Sequence, residues 1–117
     1  MQCMGESMKY NQNNKYGNKK INGFDSVREF NRYQELKLLE RAGKIQGLSR
    51  QVPFELLPTQ RDENGKLVFK GITYKADFTY WENDQFVVED AKGYKTPEYR
   101  MKAKLMYYFY HLKIKET

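Results

Sequence analysis

From Ile72 to Lys92 apolar and polar positions alternate along the chain. Ile72, Tyr74, Ala76, Phe78 and Tyr80 fall on one parity, with Thr73, Lys75, Asp77 and Thr79 on the other; this is the period of a β-strand. Beyond Asn83-Asp84, Phe86, Val88, Asp90 and Lys92 alternate with Val87, Glu89 and Ala91. Asn and Asp both tolerate positive φ, so the two runs predict a hairpin closed by a tight turn. Upstream, Phe30, Tyr33, Leu36 and Leu39 recur at helical spacing and predict a first helix from Asp25-Ser26 to about Ala42, stopped by Gly43. Ser49 to Leu57 reads as a strand with Val52, Phe54 and Leu56 on one face, and Pro53 inside it predicts an edge position or a bulge. A polar loop turning at Asp62-Glu63-Asn64-Gly65 follows, with Leu67-Val68-Phe69 as the return arm of a ribbon. Thr96-Pro97 supplies an N-cap and a first-turn proline for a second helix to about Tyr110. Met101, Leu105, Tyr108 and Phe109 are its expected core face, and Leu112 to Lys115 is a short last strand. The fold class expected is α/β.

The hairpin register has a chemical consequence. If Glu82 pairs with Gln85, then Trp81 meets Phe86, Tyr80 meets Val87, and Asp77 falls opposite Asp90. Facing side chains in an antiparallel pair are roughly 4.5–5.5 Å apart at Cβ, and like charges there repel. Two such carboxylates need a shared proton, a cation or solvent. Lys92 shares the parity of Asp90, so Asp, Asp and Lys converge on one patch, suited to a divalent metal beside a hydrolytic lysine. The bland alternative is a polar outer face with ordinary solvated Asp and Lys, and a register slip of one residue would disperse the patch.

Charge sharpens the picture. The 117 residues carry a formal net charge of +6, which favours an anionic partner. Yet from Asp77 to Asp90 there are five acids and no Lys or Arg, whereas from Lys92 to Thr117 seven bases stand against Glu98 and Glu116. An acidic spot in a basic chain suggests a metal site set in a polyanion-binding surface; the alternative is charge that serves solubility alone. Cys3 is the only cysteine and His111 the only histidine, so disulfide frameworks, thiolate zinc clusters and His-based triads are excluded. No run approaches the ~20 apolar residues of a membrane span, and the N-terminus has no apolar signal core, so an intracellular, cytoplasmic location is expected.

Glu29 lies near the centre of the first helix's apolar stripe, where a carboxylate needs a partner. It is either a ligand of the acidic site or the N3 member of a Ser26–Glu29 capping box, and the two roles can coexist. On the second helix Arg100, Lys104 and Tyr107 share a face suited to phosphate and bases, or to solvent alone. Residues 1–14 read as a polar, disordered tail and 15–117 as one domain, in which Lys19 and Lys20 could touch phosphates.

Four blocks in order, Lys15–Lys20 (KYGNKK), Phe24–Tyr33 (FDSVREFNRY), Tyr74–Phe78 (YKADF) and Val88–Gly93 (VEDAKG), resemble small phage and prophage proteins of the PD-(D/E)xK nuclease superfamily, which includes Holliday-junction-resolvase-like endonucleases. Ala76 stands where the name motif has proline, and either Glu89 or Asp90 could be its second acid; strand alternation selects Asp90, because Glu89 points away from Lys92. The resemblance implies a restriction-endonuclease-like αβββαβ core, a mixed sheet flanked by helices. It implies Mg²⁺ or Mn²⁺ held by Asp77, Asp90 and the Ala91 carbonyl, with Glu29. Lys92 would orient or deprotonate the attacking water. The activity implied is metal-dependent endonucleolytic cleavage of DNA, duplex or branched as in phage recombination, with a homodimer as the natural way to cut two strands. Two other classes stay open: a non-catalytic nucleic-acid-binding protein, and a phage interaction or assembly protein.

Overall fold

The computed structural model describes residues 23–91 and 95–117. The tail at 1–14, Lys19, Lys20 and Lys92 lie outside the described residues. The elements run α1 (Val27–Arg41), β1 (Gln46–Leu57), β2 (Gln60–Arg61), β3 (Leu67–Phe69), β4 (Ile72–Glu82), β5 (Gln85–Asp90), α2 (Pro97–Tyr110) and β6 (Lys115–Glu116). Four strands form one mixed sheet in the order β1-β4-β5-β6, antiparallel except for β5 with β6, and β2-β3 is a separate ribbon. The fold is therefore α/β, a mixed sheet flanked by two helices, with αβββαβ order once the ribbon is set aside.

Local signals account for the ends of the elements. Ser26 Oγ accepts the Glu29 N–H at 3.1 Å and caps α1, and Thr96 caps α2 by accepting the Tyr99 N–H at 3.0 Å, with Pro97 in the first turn. Asn83 and Asp84 have φ of 51° and 65°, so the two-residue turn has the left-handed backbone that matches strand twist. Its register is the expected one, Glu82↔Gln85, Trp81↔Phe86 and Tyr80↔Val87. β1 is an edge strand, which is how Pro53 is accommodated.

Along β5, Val87 packs into a cluster with Leu36 of α1 and Val88 into one with Tyr99 and Met106 of α2. Successive strand residues face opposite ways, so the helices cover opposite faces of the sheet. β4 departs from the expected alternation. Tyr74 and Ala76 pack with α2, whereas Phe78 and Tyr80, of the same parity, pack with α1. β1 changes sides likewise: Leu48 joins the α1 cluster and Leu56 the α2 cluster. The pairs Arg50↔Phe78 and Val52↔Ala76 bracket the reversal, and between them Gln51 has a φ of 54°. A left-handed residue turns the strand over. Ile72, Tyr74, Ala76, Phe78 and Tyr80 therefore do not share one face, and Asp77 sits at the crossover.

The expected core face of α2 also needs correction. Tyr99 and Met106 are buried, with Ala103 and Leu105 packed beside them, while Met101, Tyr108 and Phe109 are exposed. The helix carries two apolar stripes, and tyrosine hydroxyls favour the one that is buried: Tyr99 donates to Glu116 at 2.8 Å and Tyr110 to the Glu55 carbonyl at 2.7 Å. β6 is likewise shorter than the expected strand, Lys115–Glu116 rather than Leu112 to Lys115.

Candidate active site

β4 pairs with β1 from Ile72 to Trp81 but with β5 only from Phe78 to Glu82. Where β5 ends, the first half of β4 has no β5 partner among the described residues, and an open cleft of about 500 Å³ forms there. Asp77 and Asp90 line it, with Gln51 and Asp25 on the α1 side, Lys75 on β4, and Glu98 and Lys102 on α2. The strand reversal at Gln51 is what lets groups from both faces of the sheet meet at one opening.

Each acid has a donor from a neighbouring element. Asp77 Oδ2 accepts the Ala91 N–H at 2.9 Å, which clips the end of β5 to β4. Asp90 is 2% exposed, and its Oδ2 accepts the Tyr74 hydroxyl at 2.6 Å. Glu29 is buried; its Oε2 accepts from Gln51 Nε2 at 3.0 Å and lies 3.7 Å from Arg50 Nη2. The Arg50 guanidinium in turn stacks 3.7 Å over the Phe24 ring. Burial pushes the Asp77 carboxyl up to about 8, and the charges of Asp90 and then Glu29 add to it. Glu29 is raised by burial and by Asp25, against the opposing pull of Arg50 and Gln51. Burial and the bond to Asp90 raise the Tyr74 hydroxyl, so it stays a donor.

Glu89 belongs elsewhere. It is fully buried on the α1 face, where it accepts from Arg32 Nε and Nη2, the Tyr80 hydroxyl at 2.6 Å and the Thr117 hydroxyl at 3.1 Å. Burial would raise its pKa, but the bonds from Arg32 and Tyr80 outweigh it and hold the carboxyl below the usual range. Alternation had separated Glu89 from Asp90, and the two do face opposite ways.

Asp77, Asp90 and the Ala91 backbone thus come together as the hairpin register predicts, and Glu29 is near enough for its charge to act on Asp77. Lys92 lies outside the described residues, directly after Ala91. Arg100, Lys104 and Tyr107 are exposed but do not line the cleft. Among the cleft residues that sequence reasoning missed are Gln51, Tyr74, Lys75, Glu98 and Lys102. Tyr74 could have been found, since it begins the YKADF block; the left-handed backbone of Gln51 leaves no trace in residue type.

Among the described residues no group of three or more His, Cys, Asp or Glu side chains is placed to hold a metal ion. A two-carboxylate pair of hard oxygens suits Mg²⁺ nonetheless, because that ion keeps several waters and commonly takes one or two carboxylates with substrate phosphate. No helix among the described residues is long and apolar enough to cross a membrane. No curated protein and no solved structure matches the chain. A family model described as a protein of unknown function (DUF1064) matches residues 9–117, nearly the whole chain, and the chain belongs to that family.

Proposed function

We propose that this protein is a metal-dependent DNA endonuclease of the PD-(D/E)xK type. The observation that carries the reading is the pair Asp77 and Asp90, side by side where β4 and β5 part, on the wall of an open cleft. The αβββαβ order around that pair supports the same reading, as does a net charge of +6 in a chain whose most acidic stretch is this hairpin. Asp77, Asp90 and the Ala91 carbonyl would hold Mg²⁺ or Mn²⁺, with Glu29 acting on the pair through its charge. The ion, when bound, supplies Lewis-acid polarisation of the phosphodiester. Tyr74 fixes the rotamer of Asp90, and the Ala91 N–H fixes that of Asp77. Lys92, next in the chain, is assigned to orient the attacking water and to offset charge growing on the phosphate. Products would carry 5′-phosphate and 3′-hydroxyl ends. Cutting both strands of a duplex or a branched junction calls for two clefts, hence a homodimer, working in the cytoplasm of a bacterial or phage-infected cell.

The test is a cleavage assay in Mg²⁺ or Mn²⁺ over linear duplex, single strand, flap and four-way junction. Wild type is expected to cut at least one of these. D77N and K92A should abolish cutting while leaving binding of the same DNA largely intact. A K92A variant that cuts as well as wild type would remove the assigned role. A second reading, a nucleic-acid-binding protein without catalysis, rests on the net charge of +6 and on the exposed Arg100, Lys104 and Tyr107 of α2. It predicts salt-dependent DNA binding that D77N does not change, and no cleavage in either metal.

A further inference from the structure

Among the described residues the cleft contains more acid than base. Asp25, Asp77, Asp90 and Glu98 line it against Lys75 and Lys102. A phosphodiester entering this opening is repelled by its walls unless cations stand along the path. The basic face expected to serve that purpose looks elsewhere. At 100° per residue, Arg100, Lys104 and Tyr107 lie roughly 140–160° around the α2 axis from Lys102, and none of them lines the cleft. A strand held on that face would run along the back of α2, away from Asp77 and Asp90.

Among the described residues two cations flank the carboxylates. Lys75 is exposed on the stretch of β4 that has β1 as a neighbour but no β5 partner. Lys102 of α2 lines the same opening. Its partner is Glu98 at 3.3 Å, an i,i+4 pair in which the Glu98 side chain is 77% exposed. Such a surface pair is worth little, so Lys102 can turn to a phosphate with small loss.

We infer that Lys75 and Lys102 form a two-walled phosphate clamp, which seats the nucleic-acid backbone over the Asp77–Asp90 pair, and that the outer face of α2 is not the strand path. The inference rests on the endonuclease reading and specifies the site's ligand, a phosphodiester backbone gripped at two phosphates. Each neutralised phosphate contributes about −0.9 to the slope of log K against log salt on duplex DNA.

The experiment is fluorescence anisotropy of a labelled linear duplex titrated with the full chain, with Ca²⁺ in place of Mg²⁺, over a series of salt concentrations. K75A and K102A are each expected to flatten the slope by ~0.9, and the double variant by ~1.8. R100A/K104A should leave the slope at its wild-type value. K75Q/K102Q keeps the aliphatic stems and should reproduce the double alanine, which separates lost charge from lost packing. An unchanged slope in the double variant, with wild type binding and cutting DNA, overturns the clamp and leaves the endonuclease reading standing. A flattened slope in R100A/K104A alone overturns it too and puts the strand on the outer face. A wild-type chain that neither binds nor cuts DNA overturns both.

Discussion

Glu89 and Asp90 are consecutive, both buried, and opposite in character. Glu89 faces α1 and is saturated: a guanidinium and two hydroxyls converge on its two oxygens. Asp90 faces the cleft beside Asp77, with Tyr74 as a donor. The pKa directions follow. Hydrogen bonds from Arg32 and Tyr80 outweigh burial and lower Glu89, whereas at Asp77 burial, Asp90 and Glu29 all act upward. Burial alone therefore does not set the character of a carboxylate. What separates the two, among the described residues, is the neighbour each meets: a guanidinium at Glu89, a second carboxylate at Asp90.

The strongest way to break the comparison is to remove the compensation at Glu89. Arg32→Met leaves a fully buried carboxylate without its cation, and such losses cost about 3–5 kcal/mol. Urea unfolding should register that drop, together with the Glu89 carboxyl rising out of its depressed range. A loss within 1 kcal/mol would mean that Tyr80 and Thr117 suffice. Replacing Asp77 with Asn should go the other way, with no loss or a gain in stability when no divalent ion is present, since a repelling charge is removed.

The cleft responds to its own donor. Tyr74→Phe keeps the ring in the α2 cluster and removes only the bond to Asp90. On the endonuclease reading, losing a hydrogen bond that supports a metal-holding carboxylate weakens metal binding about 10–100-fold. Mn²⁺ titration followed by electron paramagnetic resonance should show that loss with the fold retained. Unchanged Mn²⁺ affinity in Tyr74→Phe would place Tyr74 in packing alone.

A further effect should appear as pH dependence. The Asp77 pKa is raised from 3.8 to about 8, so the folded chain holds this proton more tightly than the unfolded one. Stability from this group is full below about pH 4 and is lost as pH rises toward 8. The melting temperature of metal-free protein should therefore fall from pH 5 to pH 8. Added Mg²⁺ should restore it most at the upper end, by binding the folded state. Asp77→Asn should flatten both trends; a slope that survives in that variant belongs to another group.

How much of this was legible before any coordinates depended on how local the signal was. Short-range chemistry was readable: Ser26 and Thr96 as caps, Asn83-Asp84 as a left-handed turn, and from that turn the register that sets Asp77 beside Asp90. Glu29 was readable as buried because its stripe was. The core face of α2 was not, because the helix carries two apolar stripes and the choice hangs on hydroxyl partners at Glu116 and Glu55, distant in the chain.

Residue order alone thus determined the elements, the hairpin pairing and the meeting of two acids, since each follows from neighbours a few positions apart. Tertiary structure alone decided that β1 and β4 reverse their faces at Gln51 and Asp77, that β5 ends early enough to open a cleft, and that Lys75 and Lys102 flank it. Those outcomes depend on a backbone angle at a residue with no glycine to announce it, and on which surfaces pack when distant segments meet. Side-chain pattern does not encode either.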